Sequence, residues 1–268
     1  MEPKISIIMG IYNPKTKEMI DKCLNSIINQ TFVDWECILC DDGTSNNMFD
    51  YIIEKYSFDK RFVFIKNERN LGLRVALNNA IKHSKAKYLV RQDIDDYSDI
   101  NRLSILYKIA IDNPEWDVIG TSMMKFADDK IWGKYTPRVF DIKKKDFLKG
   151  NVVAHATTII KKSSIEKVGG YRVAWETIRC EDIDLFMRMF AKGCVIKNID
   201  VPLYFVREDK DAYSRKKYAN RIKEAVVKYK GFKMLNMPLW GYIYVFRPLI
   251  VGLVPNKLMF FLKKVLHK

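Results

Sequence analysis

The sequence predicts an α/β protein: a single, mostly parallel sheet flanked by helices, followed by a basic and apolar helical extension. Three observations carry this. Apolar strand-like runs alternate with amphipathic helix-like stretches through the first half of the chain. Polar turns rich in Asp, Asn and Gly follow those runs, where ligands of parallel sheets bind. At 268 residues and 48% hydrophobic, the chain has length and apolar mass for one large domain with an appendage.

The elements follow in order. Residues 5–11 form a continuous apolar run, the mark of a strand buried on both faces, and residues 17–28 an amphipathic helix. A second strand at 35–40 precedes a helix at 48–56. Strands at 62–65 and 88–90 bracket a helical pattern at 74–82, and a further helix is expected within 100–112. The second half is more mixed, with a strand at 157–161, a turn at Gly169-Gly170, a helix at 182–192 and a strand near 195–199. The expected division is a main α/β domain, 1–204, and a helical C-terminal extension, 205–268.

Charge is unevenly placed. Residues 205–268 hold fifteen Lys or Arg against four acids, so they carry +11 of the net +15. The five cysteines are an odd number without scaffold density, which fits a reducing compartment. Cys37 and Cys40 have the spacing of a redox or zinc pair, but they lie inside an apolar run and read as buried strand thiols. Met1-Glu2-Pro3-Lys4 leads straight into a strand, so no signal peptide is expected.

The chemistry-bearing residues sit at strand ends. Tyr88-Leu89-Val90 runs directly into Arg91-Gln92-Asp93-Ile94-Asp95-Asp96. Three carboxylates at a strand tip raise one another's pKa, so a cation belongs there; a hard divalent metal with oxygen ligands is the simplest. A solvated turn beside a helix start is the plain alternative. Asp41-Asp42-Gly43-Thr44-Ser45 can accept hydrogen bonds from a base or ribose, or simply form an Asx turn. Asn70-Leu71-Gly72-Leu73-Arg74 opens a helix whose first N–H groups, with Arg74, can face a diphosphate or merely cap the helix. In Arg179-Cys180-Glu181-Asp182-Ile183-Asp184-Leu185 the acids complement a helix dipole, and one of them can serve as a general base.

Taken in order, these pieces resemble the family 2 glycosyltransferases. The matching strings are Ile5-Ser6-Ile7-Ile8-Met9-Gly10-Ile11-Tyr12-Asn13, Asp41-Asp42-Gly43, Asn70-Leu71-Gly72, Asp93-Ile94-Asp95-Asp96, Gly169-Gly170-Tyr171 and Glu181-Asp182-Ile183-Asp184-Leu185. The resemblance implies the Rossmann-like, nucleotide-sugar-binding A-type fold and an inverting transfer of a sugar from a nucleoside diphosphate, UDP foremost, to an acceptor hydroxyl. It further implies that Asp41 or Asp42 binds base and ribose, within a nucleotide-sugar set of Tyr12, Asn13, Asn70, Gly72, Arg74, Asn78 and Asp93. Asp93 and Asp95, with Asp96 nearby, would hold Mg²⁺ or Mn²⁺ against the diphosphate. Asp182 would be the base and Glu181 the substitute. His155 either lines the acceptor side or fills the core. The implied acceptor is a saccharide or lipid-linked saccharide used for surface polysaccharides.

The tail supports a membrane partner. Residues 234–256 are rich in Leu, Ile, Val and aromatics, but Arg247 and three prolines interrupt them, so a spanning helix is not expected. Trp240, Tyr242, Tyr244 and Phe246, with Arg215-Lys216-Lys217, the lysines of 228–233 and Lys257, Lys263 and Lys264, suggest monotopic attachment to an anionic surface at the inner face of the cell membrane. A helical pair packed on the body is the alternative. No nucleic acid partner is expected. A dehydrogenase is disfavoured because the first strand lacks a glycine triplet after it. A dehalogenase-type phosphatase would carry its paired acids there. A sugar nucleotidyltransferase would open with a basic Gly-rich loop. The non-enzymatic rival is a basic membrane- or nucleic-acid-binding protein with structural acids.

Overall fold

The computed structural model describes residues 2–208 and 218–253. The strands are β1 (Ile5–Ile11), β2 (Trp35–Asp41), β3 (Phe62–Lys66), β4 (Tyr88–Arg91), β5 (Tyr97–Ser98), β6 (Val118–Ala127), β7 (Lys130–Tyr135), β8 (Ile159–Lys161) and β9 (Ile196–Arg207). The α-helices are α1 (Lys17–Ile28), α2 (Met48–Tyr56), α3 (Leu73–His83), α4 (Arg102–Asp112), α5 (Lys162–Glu166), α6 (Glu181–Ala191), α7 (Tyr218–Met234) and α8 (Arg247–Leu253). The nine described strands form one sheet in the order β3-β2-β1-β4-β8-β6-β9-β5, with β7 paired to β6. β3, β2, β1 and β4 are mutually parallel, as the alternating pattern predicts. Beyond β4 the sheet is mixed: β8 runs antiparallel to both β4 and β6, and β6 is parallel to β9.

The continuous apolar runs arise because both faces of the central strands are covered. Ile5, Ile7 and Met9 of β1 face one core with Ile20, Leu24 and Leu106, whereas Ile8 faces the other with Leu77, Phe186 and Met189. Gly10 lets α3 lie close to β1, since a Cβ there would come within 2.8 Å of Leu73 Cδ1. All five cysteines are free and buried, with Cys37 and Cys40 in opposite cores, as strand thiols should be.

Two sequence expectations change at the C-terminal side. The division at 204/205 falls inside β9, which continues to Arg207 and pairs Phe205 with Tyr97 of β5. The segment from Tyr218 to Leu253 then packs on the body: Ala225, Val227, Phe232 and Val245 share a core with Phe147, Phe186 and Met187. Gly231 meets α6 so closely that a Cβ would lie 2.1 Å from Met187 Sδ. Lys228, expected on a basic surface, is fully buried, donating to the carbonyls of Leu148 (3.1 Å) and Tyr244 (3.5 Å). Burial pushes its pKa down to about 8. Tyr242 and Tyr244 turn toward the core, whereas Trp240 and Phe246 stay exposed. Arg215-Lys216-Lys217 and the lysines beyond 253 lie outside the described residues. Among those described, no helix is long and apolar enough to cross a membrane.

Candidate active site

The loops after β1, β2 and β4 meet at the carboxyl edge of the sheet, and hydrogen bonds between them fix the edge. Asn13 adopts the left-handed region (φ 43°) and accepts Ser45 N–H at 2.8 Å, while its own N–H donates to Thr44 Oγ1 at 3.2 Å. Tyr12 beside it is half exposed. Asp41 and Asp42 are both buried but differ in use. Asp41 Oδ1 accepts Thr44 N–H at 2.9 Å. Asp42 accepts Asn67 Nδ2 (2.8 Å) and Leu71 N–H (2.9 Å) on one oxygen and Gly72 N–H (2.8 Å) on the other. Gly43 allows this approach, since a Cβ at its φ of +76° would sit 2.5 Å from Asn70 N.

Three residues of the expected nucleotide-sugar set extend this edge toward the second half. Asn70 is exposed on the loop that Asp42 holds. Arg74 is buried, donating to Ala174 O (2.5 Å) and Thr177 Oγ1 (2.9 Å), so its charge lies against the 172–177 loop. Asn78 clamps Tyr171, donating to its carbonyl and accepting its N–H, both at 2.8 Å.

The acids after β4 separate into two environments. Asp96 is buried; its carboxylate accepts Tyr204 Oη at 2.8 Å and Arg207 N–H at 2.7 Å. Burial, reinforced by Asp95 and Asp93, raises its pKa well above the usual carboxylate range. Both its oxygens are used inside the fold, although the sequence placed it beside the metal ligands. Asp93 and Asp95 remain partly exposed at the tip. Asp93 forms a 2.6 Å ion pair with Arg91, a guanidinium only 4% exposed. Gln92 pins the turn from beneath, donating to the carbonyls of Asp93 (3.0 Å) and Asp96 (3.2 Å) and accepting from Arg102 at 2.7 Å. Among the described residues no three His, Cys, Asp or Glu side chains are grouped as a ready metal site. Two carboxylates at a strand tip nevertheless fit a hard cation that takes its other ligands from phosphate and water.

The second group of acids is in the first turn of α6. Asp182 accepts Ile183 N–H at 2.8 Å and the amide of Asn151. Burial raises the Asp182 pKa, while the Asn151 bond opposes the rise. Burial followed by the Asp182 charge raises Glu181 as well, and Arg91 draws both back down. Arg91 thus lies electrostatically between the acids of β4 and those of α6. Behind them His155 Nε2 is 2.6 Å from Tyr171 Oη, and burial holds the imidazole well below its ordinary pKa, hence neutral. Asp184 takes no part in the opening; it binds Arg172 and Arg188 at 2.7 Å, and Arg188 secures the Gly170 carbonyl at 2.8 Å. Sequence reasoning missed Arg91, Asn151, Tyr204 and Arg207. Only Arg91-Gln92 left a signal, as polar residues at the end of a buried strand.

Residues 6–169 match the model of Glycosyl transferase family 2, more than half of the chain. The protein belongs to this family. It is similar to EpsE of Bacillus subtilis (strain 168), named as a glycosyltransferase, at 34% identity over 96% of this chain and 92% of that protein. An Escherichia coli UDP-Gal:alpha-D-GlcNAc-diphosphoundecaprenol beta-1,3-galactosyltransferase is 26% identical over 99% of this chain and 98% of its own. Among solved structures, S. aureus TarS 1-349 in complex with UDP-GlcNAc superposes with a TM-score of 0.70 at 16% identity, covering 93% of this chain and 71% of that one. The mannosyltransferase PcManGT from Pyrobaculum calidifontis, with GDP-Man and Mn²⁺, gives a TM-score of 0.63 at 15% identity, covering 99% and 81%. These structural likenesses establish the A-type glycosyltransferase fold, as the sequence predicts. The protein is a glycosyltransferase.

Proposed function

We propose that the protein moves a sugar from a nucleoside diphosphate, UDP foremost, to a hydroxyl of a lipid-linked saccharide in surface polysaccharide synthesis, with inversion and with Mg²⁺ or Mn²⁺. The observation that carries this is that one buried guanidinium, Arg91, pairs with Asp93 at the β4 tip, where Asp95 is also partly exposed, and acts electrostatically on Asp182 of α6. The donor and acceptor classes follow the names of relatives that use UDP-sugars and diphosphoundecaprenol-linked acceptors.

In this reading Asp41 receives the base and ribose, because both oxygens of Asp42 are committed to the Asn70–Gly72 loop. Tyr12 and Asn13 line the nucleotide side, and the start of α3 offers N–H groups to the diphosphate. Arg74 and Asn78 act from behind, holding the 171–177 loop. Asp93 and Asp95 would hold the cation; when bound, it neutralises charge on the departing diphosphate. Asp96 keeps the tip in place. Asp182 takes the acceptor proton as the hydroxyl attacks the anomeric carbon from the face opposite the diphosphate, and Glu181 is the second choice. Asn151 aims the Asp182 carboxylate. We assign catalysis to 1–204 together with the end of β9, and attachment at the inner face of the cell membrane to the remainder.

The test is a thermal-shift screen of UDP-Gal, UDP-Glc, UDP-GlcNAc and GDP-Man, with Mn²⁺ and with EDTA, followed by NMR of the product's anomeric configuration. Metal-dependent stabilisation by one donor and an inverted product are expected. Stabilisation by no donor, with salt-dependent binding to nucleic acid instead, would favour the non-enzymatic rival.

A further inference from the structure

We infer that the face formed by the 3₁₀ turn Leu239–Val245 and α8 is a docking ridge for an anionic lipid bilayer. The side chains of Leu239, Trp240, Ile243, Phe246, Ile250 and Leu253 are between 58 and 91% exposed. The order of the last five in the chain makes them one surface, with Leu239 open to solvent at its start. In a 3₁₀ turn residues three apart eclipse, which aligns Trp240, Ile243 and Phe246. On α8 spacings of four and three continue the line through Ile250 to Leu253. The opposite face is fully engaged: Gly241 lies against Leu148, Tyr242 against Phe232, and Val245 and Pro248 are buried. A segment apolar on both sides, with only one side packed, needs a second apolar environment.

Charge identifies that environment. Arg247 Nη1 donates to Lys149 O at 2.5 Å, and Lys144 Nζ reaches Asn236 O at 3.2 Å, so basic residues rim the ridge. Lys143, Lys145 and Lys233 are exposed on the same segments. A second copy of the chain would bring the same +15 and be repelled. Anionic headgroups over an acyl layer complement both the rim and the ridge, and a Trp at the level of the headgroups suits the boundary. The ridge is far too short to span, so it lies in the plane of the interface.

The ridge is also tied to the acid that the proposed function makes the base. Arg247 holds Lys149, Lys228 holds Leu148, and two residues on Asn151 donates to Asp182. Docking would therefore bring the Asn151–Asp182 side of the site toward the bilayer. The docking gives a surface to the membrane attachment assigned under the proposed function; this last point rests in addition on its assignment of the base.

The experiment is flotation of the full chain with phosphatidylcholine vesicles, with and without 30% phosphatidylglycerol, at low and high salt. The unmodified protein should float with the anionic vesicles, and salt should release only part of it. Changing Trp240, Ile243 and Phe246 together to Glu should weaken binding about a hundredfold or more. Trp132→Glu, on the exposed β7, should change nothing. The triple variant should keep its melting temperature and its transfer to a short soluble acceptor, which separates this inference from the proposed function. Flotation of the triple variant equal to the parent would overturn the assignment. So would a dimer in light scattering that the triple variant abolishes, with no vesicle binding by the parent.

Discussion

Asp41 and Asp42 look equivalent in sequence, and the structure assigns them different work, so replacing each by Ala should give opposite results. Asp42 is 3% exposed and receives three donors, two of them backbone N–H groups of the Leu71-Gly72 turn. A hydrogen bond to a charged group contributes roughly 1.5–3 kcal/mol. Leu71 is exposed and Asn67 half-buried, so water can reach the stranded donors, and each loss belongs at the low end. Asp42→Ala should therefore lower unfolding free energy by about 4–5 kcal/mol. Asp41→Ala removes one bond of known partner, to Thr44 N–H, and should cost about 1.5 kcal/mol. For UDP the order reverses: Asp41→Ala should weaken affinity roughly tenfold to a hundredfold, the worth of one or two lost bonds from a buried carboxylate. Urea unfolding and titration calorimetry with UDP measure both quantities. If Asp41→Ala proves the more destabilising change, or Asp42→Ala lies within 1 kcal/mol of the parent, the division of labour is refuted.

Further expectations concern the acids and one lysine. Asp93→Asn and Asp95→Asn should each nearly abolish transfer and Mn²⁺-dependent donor binding at unchanged melting temperature, whereas Asp96→Asn should act mainly on melting temperature; full activity in EDTA would remove the metal role. Asp182→Asn should slow transfer by about two orders of magnitude or more with donor affinity intact, and an active Asp182→Asn beside a dead Glu181→Gln would move the base to Glu181. Because the Asn151 amide favours the Asp182 carboxylate, Asn151→Ala should raise that pKa further and shift the acidic limb of the pH–rate profile to higher pH; a shift to lower pH contradicts this. Lys228 has a folded pKa of about 8 against an ordinary 10.5, so the unfolded chain binds the extra proton between these values and stability rises with pH across that window. The parent should gain about 2–3 kcal/mol from pH 7.5 to 10 relative to Lys228→Met, measured by chemical denaturation; identical pH curves would deny the burial.

The first half of the fold was legible because its strands are buried on both faces. β1, β2 and β4 read as unbroken apolar runs, and the acids that follow them stand out against that background. β6 and β9 were harder. β6 turns from Val118-Ile119 into Gly120-Thr121-Ser122, and its register with β9 slips at Thr121 and Ser122, opposite Pro202. β7 pairs only at an edge, and its Lys130, Ile131 and Trp132 lie open to solvent. The positions of the site motifs were legible; the duties within them were not. Whether Asp96 faces a cation or the interior depends on Tyr204, 108 positions later. Lys228 looks like any surface lysine until the carbonyls of Leu148 and Tyr244 converge on it.

β9 also sets the order in which this site can come into being. The turn carrying Asp93, Asp95 and Asp96 is complete in the chain early, but the groups that take up the Asp96 carboxylate, Tyr204 Oη and Arg207 N–H, arrive after every other described strand. During synthesis from the ribosome the nascent β4 tip therefore waits, its buried acid unpartnered, until long-range pairing of β9 with β6 and β5 locks it. A nascent chain released at 169, where the family match ends, would hold the β4 acids without the strand that organises them. The geometry of this edge is therefore among the last features of the fold to be set.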